Sequence, residues 1–189
     1  NGGILFSWSK ALGGNYAGVF AYYVASPLSF ITLFFPNEYM HMGVLVLTLL
    51  KIGLSGLTFG ILMNYFNKNK ARNVIFAVFY ALMSYNIAYS MCLMWLDGVI
   101  WLPIIILAIE KLAKGGKPYL LCISYAVLFV STYYISFMVG VFSCLYVIYV
   151  FVREGMDFVR NSFRFCAKFV GSVVVAAGLG AWLLLPTFY

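Results

Sequence analysis

Met94-Trp95-Leu96-Asp97-Gly98 joins two long apolar runs and carries a carboxylate between them. In a chain that is 65% hydrophobic and 9% charged, an acid so placed decides the reading. The stretch reads as a turn of a few residues at the outer mouth of a bundle of membrane helices. Its expected basic neighbour is Lys51, the one charge set deep inside an apolar run.

The class follows from composition. Among 189 residues there are 12 basic and 5 acidic side chains, and the mean hydropathy is +0.99. That leaves too little polar surface for a water-soluble domain, so an all-α polytopic membrane bundle is expected, with the lipid bilayer as its surroundings. The net charge of +7 does not point to nucleic acid. The bases fall in short clusters between apolar runs, as in loops facing anionic headgroups on the cytoplasmic side. Cys92, Cys122, Cys144 and Cys166 form no C-x-x-C pair and lie in or beside apolar runs. They read as small hydrophobes, with no disulfide or zinc site expected. No P-loop, G-x-S-x-G or H-E-x-x-H pattern occurs, which removes support for ATPase, serine-hydrolase and zincin chemistry. The chain opens at Asn1 without an initiator Met or a cleavable leader and stops at Tyr189 just past an apolar run. Both ends are therefore expected to be cuts through a longer protein.

Upstream of the turn, helix B is expected over about Asn73 to Met94, and helix A over about Met42 to Met63. The basic loop Asn67-Lys68-Asn69-Lys70-Ala71-Arg72 separates them. Gly53, Gly56 and Gly60 give helix A a face for close helix packing. Downstream, helix C is expected over about Val99 to Leu112, with Pro103 inside it and a length of only ~21 Å. Glu110 beside Lys111 reads as a surface pair at its cytoplasmic end. From Tyr119 to Val152 runs an apolar stretch that would be ~51 Å long as one helix. That is too long for one crossing, so a hairpin of helices D and E is expected, turning at Ser131-Thr132-Tyr133-Tyr134. Arg153 to Lys168 follows as a cytoplasmic, amphipathic connection. Helix F, about Phe169 to Leu185, leads back out. Six transmembrane helices result.

Residues 1–41 are expected to form an extracytoplasmic loop with interfacial or re-entrant helices, and 42–189 the transmembrane bundle. Ala17 to Phe35 is apolar enough to span, but Ser26-Pro27 breaks it, so short interfacial helices are preferred to a kinked spanning helix. Lys68, Lys70, Arg72, Lys111, Lys114, Lys117, Arg153, Arg160, Arg164 and Lys168 all fall on the cytoplasmic side of this topology, against Lys10 outside. Reversing the bundle would invert that ratio.

Two charges carry candidate chemistry. Lys51 lies roughly 14 Å below the outer end of helix A, a depth that costs about 2.5–3.5 kcal/mol unless the group faces protein or water. It either pairs with Asp97, functionally or as a packing device, or binds the phosphate of a lipid-linked substrate. Asp97 reads as a solvated cap of helix C or as an acid in the active cavity. In the cavity it would serve as substrate-hydroxyl ligand, charge partner of Lys51, or metal ligand for Mg²⁺ or Mn²⁺, which would need further oxygens. Glu38 and His41 flank the top of helix A as solvated groups. Trp8, Trp95, Trp101 and the Tyr22-Tyr23 and Tyr133-Tyr134 pairs fit an aromatic belt, and some can stack on a sugar.

Leu5-Phe6-Ser7-Trp8, Gly13-Gly14-Asn15-Tyr16, Ala21-Tyr22-Tyr23 through Ser26-Pro27, Leu50-Lys51-Ile52-Gly53-Leu54, Met94-Trp95-Leu96-Asp97-Gly98 and Ile109-Glu110-Lys111-Leu112 resemble the YfhO family of bacterial membrane proteins, in order and over nearly the whole chain. The resemblance implies a C-type glycosyltransferase fold in the bacterial cell membrane, multi-pass, with its active face extracytoplasmic. It implies an enzyme that moves a sugar from a polyprenyl-phosphate carrier to a cell-envelope polymer, lipoteichoic acid being the leading acceptor. The family's catalytic carboxylate is expected upstream of Asn1, so no catalytic residue is assigned in this chain. Lys51 and Asp97 are the positions carried over, and in some such enzymes an acid placed like Asp97 binds a metal. Trp95, Asn15 and Tyr133 complete the expected substrate-binding set. The chain has Thr132 where the resemblance leads one to expect Asn nearby. The competing readings are a transporter or flippase, which would need helices broken near mid-membrane, and a scaffold without chemistry.

Overall fold

The structure is a computed structural model that describes residues 6–7, 14–15, 25–154 and 163–188, with side chains taken from 25–154 and 163–183. Phe6–Ser7 pairs antiparallel with Gly14–Asn15. A 3₁₀ segment covers Pro27–Phe34 and a second Asn37–Tyr39. Seven helices follow among the described residues: α1 Met40–Phe66, α2 Lys70–Ala81, α3 Ser84–Ala88, α4 Leu93–Ala113, α5 Tyr119–Ser131, α6 Tyr133–Glu154 and α7 Phe163–Phe188. The chain is an all-helical membrane bundle, and four of its helices (α1, α4, α6, α7) are long and apolar enough to cross a bilayer. In α4, 67% of the most apolar window is buried, against 28–33% in the other three. So α4 is the axis, and the others turn apolar side chains such as Leu49, Phe137, Leu145 and Val174 outward, as lipid-facing helices do.

Contacts between helix ends test the expected topology. The Lys114 ammonium, just past α4, sits 4.7 Å from the centre of the Tyr65 ring near the end of α1. Arg153 at the end of α6 pairs with Glu110 at the end of α4, and Phe151 meets Phe165 at the start of α7 at 5.8 Å. The described basic loops thus gather at one end. At the far end Ala25, Val130 and Leu183 pack together, next to the α5–α6 turn. That turn is a single residue, Thr132, in extended backbone. The Ser136 hydroxyl closes it by donating to the carbonyls of Thr132 and Leu128. The expected hairpin is where the sequence placed it.

Three expectations need correction. Helix B is not one helix. It ends at Ala81, restarts for one turn at Ser84, and breaks again before Leu93. The break is held by Asn86, fully buried, whose Nδ2 donates to the Tyr80 carbonyl (3.2 Å), the Ala81 carbonyl (2.9 Å) and the Ser55 hydroxyl (3.3 Å). One amide therefore caps two carbonyls at the end of α2. Second, Met94 to Gly98 is not a turn but the start of α4, which begins at Leu93 and is ~31 Å long. Pro103 does not shorten it. Proline removes the donor that would have met the carbonyl four residues back, and the Tyr80 hydroxyl supplies it instead, 3.0 Å from the Val99 oxygen. Third, Glu110 is not a surface partner of Lys111. It is 1% exposed and takes both prongs of the Arg153 guanidinium at 2.8 and 2.9 Å, with the Tyr146 hydroxyl at 2.6 Å, a two-pronged geometry that only Arg offers.

Helix F begins earlier than expected, so Arg164 and Lys168 lie in the first turns of α7. The rest of the expected amphipathic connection, 155–162, lies outside the described residues. So does 17–24. The described remainder of that apolar stretch, Pro27–Phe34, buries none of its side chains and spans ~16 Å as 3₁₀ helix, too short to cross. It lies against the top of α1, where Phe35 packs on Gly43. Glu38 and His41 are exposed, and all four cysteines are free.

The Tyr80–Val99 bond yields a test. Tyr80→Phe in the full-length protein should cost about 1–2 kcal/mol in unfolding measurements, because it strands a buried carbonyl. In a Pro103→Ala background, where the backbone donor returns, the same change should cost much less. Equal costs in both backgrounds would show that the hydroxyl does not replace the missing donor.

Candidate functional site

Lys51 reaches the middle of the bundle because α1 is apolar on every side but this one. Its side chain is 0% exposed, and the ammonium lies 2.8 Å from Asp97 Oδ2 and 2.9 Å from the Leu93 carbonyl. Asp97 comes from the second turn of α4, on the side that faces Lys51. The pair therefore ties α1 to α4. Its depth follows from counting down each helix to the Tyr65–Lys114 contact. Lys51 stands ~21 Å and Asp97 ~26 Å above that contact. In a ~30 Å core the pair sits well toward the far end, inside protein rather than in lipid.

The neighbouring residue makes this possible. A Cβ on Gly98 would lie 2.2 Å from Ile135 Cγ2, so the absent side chain lets α6 close over α4 beside the acid. Below the pair a polar seam continues. The Ser55 hydroxyl donates to the Ile52 carbonyl at 2.7 Å and accepts from Asn86, and Thr58 donates to the Ser55 carbonyl at 3.0 Å.

A cavity of about 220 Å³ opens on the acid. Asp97, Ser26, Thr58, Ser131 and Trp101 line it, among apolar groups such as Leu54 and Val127, while Lys51 is not on its wall. The cation therefore backs the carboxylate from behind. Asp97 Oδ1 and Ser26 Oγ are both buried on this cavity, the Ser26 hydroxyl close to the carboxylate and neither atom held by any other described residue. The cavity thus offers a ligand one carboxylate oxygen and one hydroxyl in apolar walls. That set suits a hydroxyl-bearing group, which can donate to Oδ1 and accept from Ser26.

The fit to a divalent metal is poor. Among the described residues no three His, Cys, Asp or Glu side chains group together. Asp97 is the one carboxylate here, and its charge is already balanced at 2.8 Å by Lys51. Mg²⁺ or Mn²⁺ asks for several hard oxygens, so no step is assigned to a metal.

The sequence-predicted set divides. Lys51 and Asp97 come together. Trp95 is half-buried on the same turn as Asp97, its ring 5.0 Å from that of Tyr89, and is not on the cavity wall. Tyr133 opens α6 beside the Thr132 turn and is half-buried. Asn15 is paired through its backbone with Phe6, and its side chain lies outside what is described. Ser26 and Thr58 were missed as cavity residues and Asn86 as the group that holds the broken segment, while Trp101, read as part of the aromatic belt, is on the cavity wall. The signal for Asn86 was present, a primary amide in the middle of an apolar run, where burial without hydrogen bonds is expensive.

A model of the family described as bacterial membrane protein YfhO matches residues 1–189. No curated protein and no solved structure matches.

The pair has a stability signature that separates it from a surface contact. Asp97→Ala or Lys51→Ala alone should destabilise the full-length protein by about 3–5 kcal/mol, since each leaves an uncompensated buried group. Lys51→Met combined with Asp97→Asn should recover most of that loss. Thermal or denaturant unfolding in detergent reads the difference, and additive losses in the double variant would show that the two groups do not interact.

Proposed function

The chain belongs to the bacterial membrane protein YfhO family, and we propose that it forms part of a membrane glycosyltransferase that moves a sugar from a polyprenyl-phosphate carrier to a cell-envelope acceptor such as lipoteichoic acid. The observation that carries this reading is the buried Lys51–Asp97 pair whose second carboxylate oxygen faces a cavity near the end away from the basic loops. With those loops on the cytoplasmic side, as positive-inside bias requires, that end is extracytoplasmic, which is where such an acceptor lies.

In this reading the acceptor oxygen bonds to the anomeric carbon as the bond from that carbon to the phosphate oxygen breaks. Polyprenyl phosphate leaves, and the acceptor's proton passes to a carboxylate base outside residues 1–189. Asp97 Oδ1 accepts a hydrogen bond from a hydroxyl of the bound sugar, with Ser26 as the second polar contact. Lys51 positions Asp97 and balances its charge, so the site need not change its hydration when substrate binds. Trp101, on the cavity wall, offers a ring face to the sugar.

A second reading, a flippase, is favoured by one feature. The return segment between α1 and α4 is broken at Leu82-Met83 and again at Tyr89 to Cys92, beside buried Asn86, and broken helices near mid-membrane are typical of transporters.

One experiment separates the readings. Full-length protein reconstituted with a polyprenyl-phosphate sugar and the envelope polymer should incorporate sugar into the polymer. The variant with Lys51→Met and Asp97→Asn should incorporate at least about a hundredfold less while remaining folded. Wild-type levels in that folded variant would remove the pair from the mechanism. Movement of the lipid-linked sugar across the bilayer without transfer would favour the flippase.

A further inference from the structure

The seam between α1 and α2 carries an open groove of about 630 Å³ that shares no lining residue with the Asp97 cavity. Its floor is made of small residues. A Cβ on Gly56 would lie 3.0 Å from that of Ala81, and one on Gly60 would lie 3.4 Å from that of Ala77, so the two backbones run close together. Ile61 and Val74 belong to its apolar lining and are themselves exposed. From Gly53 to Asn64 the groove runs ~17 Å along α1, about half of a ~30 Å hydrocarbon core. That is the depth of one leaflet.

The end at the basic loops is chemically different. Lys70 and Asn64 line it together with Asn73. Lys70 is exposed and makes no ion pair among the described residues. Asn73 is 1% exposed, and its Nδ2 is committed to Asn64 Oδ1 at 2.7 Å and the Asn67 carbonyl at 3.0 Å. The contact to a backbone carbonyl fixes which way the amide points. Its Oδ1 is thereby left without a hydrogen-bond partner. The groove thus ends in a cation beside a buried acceptor that wants a donor.

We infer that this groove binds one anionic glycerophospholipid of the leaflet on the basic side. Its acyl chain lies along the glycine floor, its phosphate meets Lys70, and a hydroxyl of its headgroup donates to Asn73 Oδ1. A zwitterionic lipid would lose the net charge match to Lys70. An anionic lipid without a headgroup hydroxyl would leave Asn73 Oδ1 unmet. The occupant that satisfies both groups is phosphatidylglycerol, and the proposal does not depend on the glycosyltransferase reading.

The test is native mass spectrometry of the full-length protein released from nanodiscs holding equal amounts of phosphatidylglycerol, phosphatidylmethanol and phosphatidylethanolamine. One phosphatidylglycerol per chain should be retained in preference to the other two. Lys70→Gln should weaken retention about fivefold. Asn73→Ala should bring phosphatidylglycerol down to the level of phosphatidylmethanol. Gly53→Leu should abolish retention without disturbing the fold, because a Cβ at Gly53 meets nothing within 4 Å and its side chain would fill the groove. Equal retention of phosphatidylethanolamine, or retention indifferent to Lys70→Gln and Gly53→Leu, would overturn the proposal. So would an absence of retained lipid, which would mean that another segment of the full-length protein covers the seam.

Discussion

A charge inside a membrane bundle has to find its opposite, and in this chain that requirement sets the register of the two central descents. Lys51 and Asp97 meet at 2.8 Å with neither exposed beyond 1%. Lys114 and Tyr65 meet at the other end of the same two helices. Two fixed points, one ionic and one cation–π, leave α1 and α4 parallel with little freedom to slide. The rest of the bundle is built round α4: α5 and α6 return along it, and Glu110 grips Arg153 to fasten the end of α6. A buried pair of this kind adds little net stability against well-packed apolar groups. Its effect is to exclude other registers, since a one-turn slip would leave two uncompensated charges in low dielectric.

The same logic governs the neutral groups. Backbone that departs from regular helix at membrane depth is tolerated only where protein satisfies it. Pro103 frees the Val99 carbonyl, and Tyr80 answers it. At the end of α2 Asn86 caps the carbonyls of Tyr80 and Ala81. Tyr80 reaches across the packing seam to its carbonyl, whereas Asn86 caps from the next turn of its own segment. Tyr80 and Asn86 act on adjacent points of that segment, and together they seat it against both central descents.

What the sequence revealed and what it hid follow one division. The hairpin turn at Thr132 was legible because length forbade a single helix from Tyr119 to Val152. The clustering of basic loops at one end was legible because charge bias marks it. The Lys51–Asp97 pair was legible because each charge lacked a cheaper partner nearby. The start of α4 was not, since Trp95-Leu96-Asp97-Gly98 reads locally as a turn and only the burial of Asp97 against Lys51 makes it helical. The break of helix B was hidden in part for the same reason. Its apolar residues propagate a helical pattern, and the cap that ends α2 is supplied by Asn86 from beyond the break. Glu110 looked like a surface residue because its true partner, Arg153, lies on another helix, with the whole α5–α6 hairpin between them in the chain.

The geometry around Asp97 fixes how its carboxylate is presented to the cavity. One oxygen is held by Lys51 and the other faces the cavity, so the acid is oriented before any ligand arrives. Gly98 contributes by having no side chain, because Ile135 occupies the space a methyl group would need, and α6 closes the bundle beside the acid. Preorganisation of this kind matters more in an apolar cavity than at a surface, because a misdirected lone pair cannot be rescued by water. The cation behind the acid rather than beside it has a further consequence. A phosphate entering the cavity would meet Asp97 before Lys51 and be repelled, whereas a neutral polyol would meet an acceptor and a hydroxyl. The cavity therefore presents its acid more readily to an uncharged hydroxyl than to a phosphate.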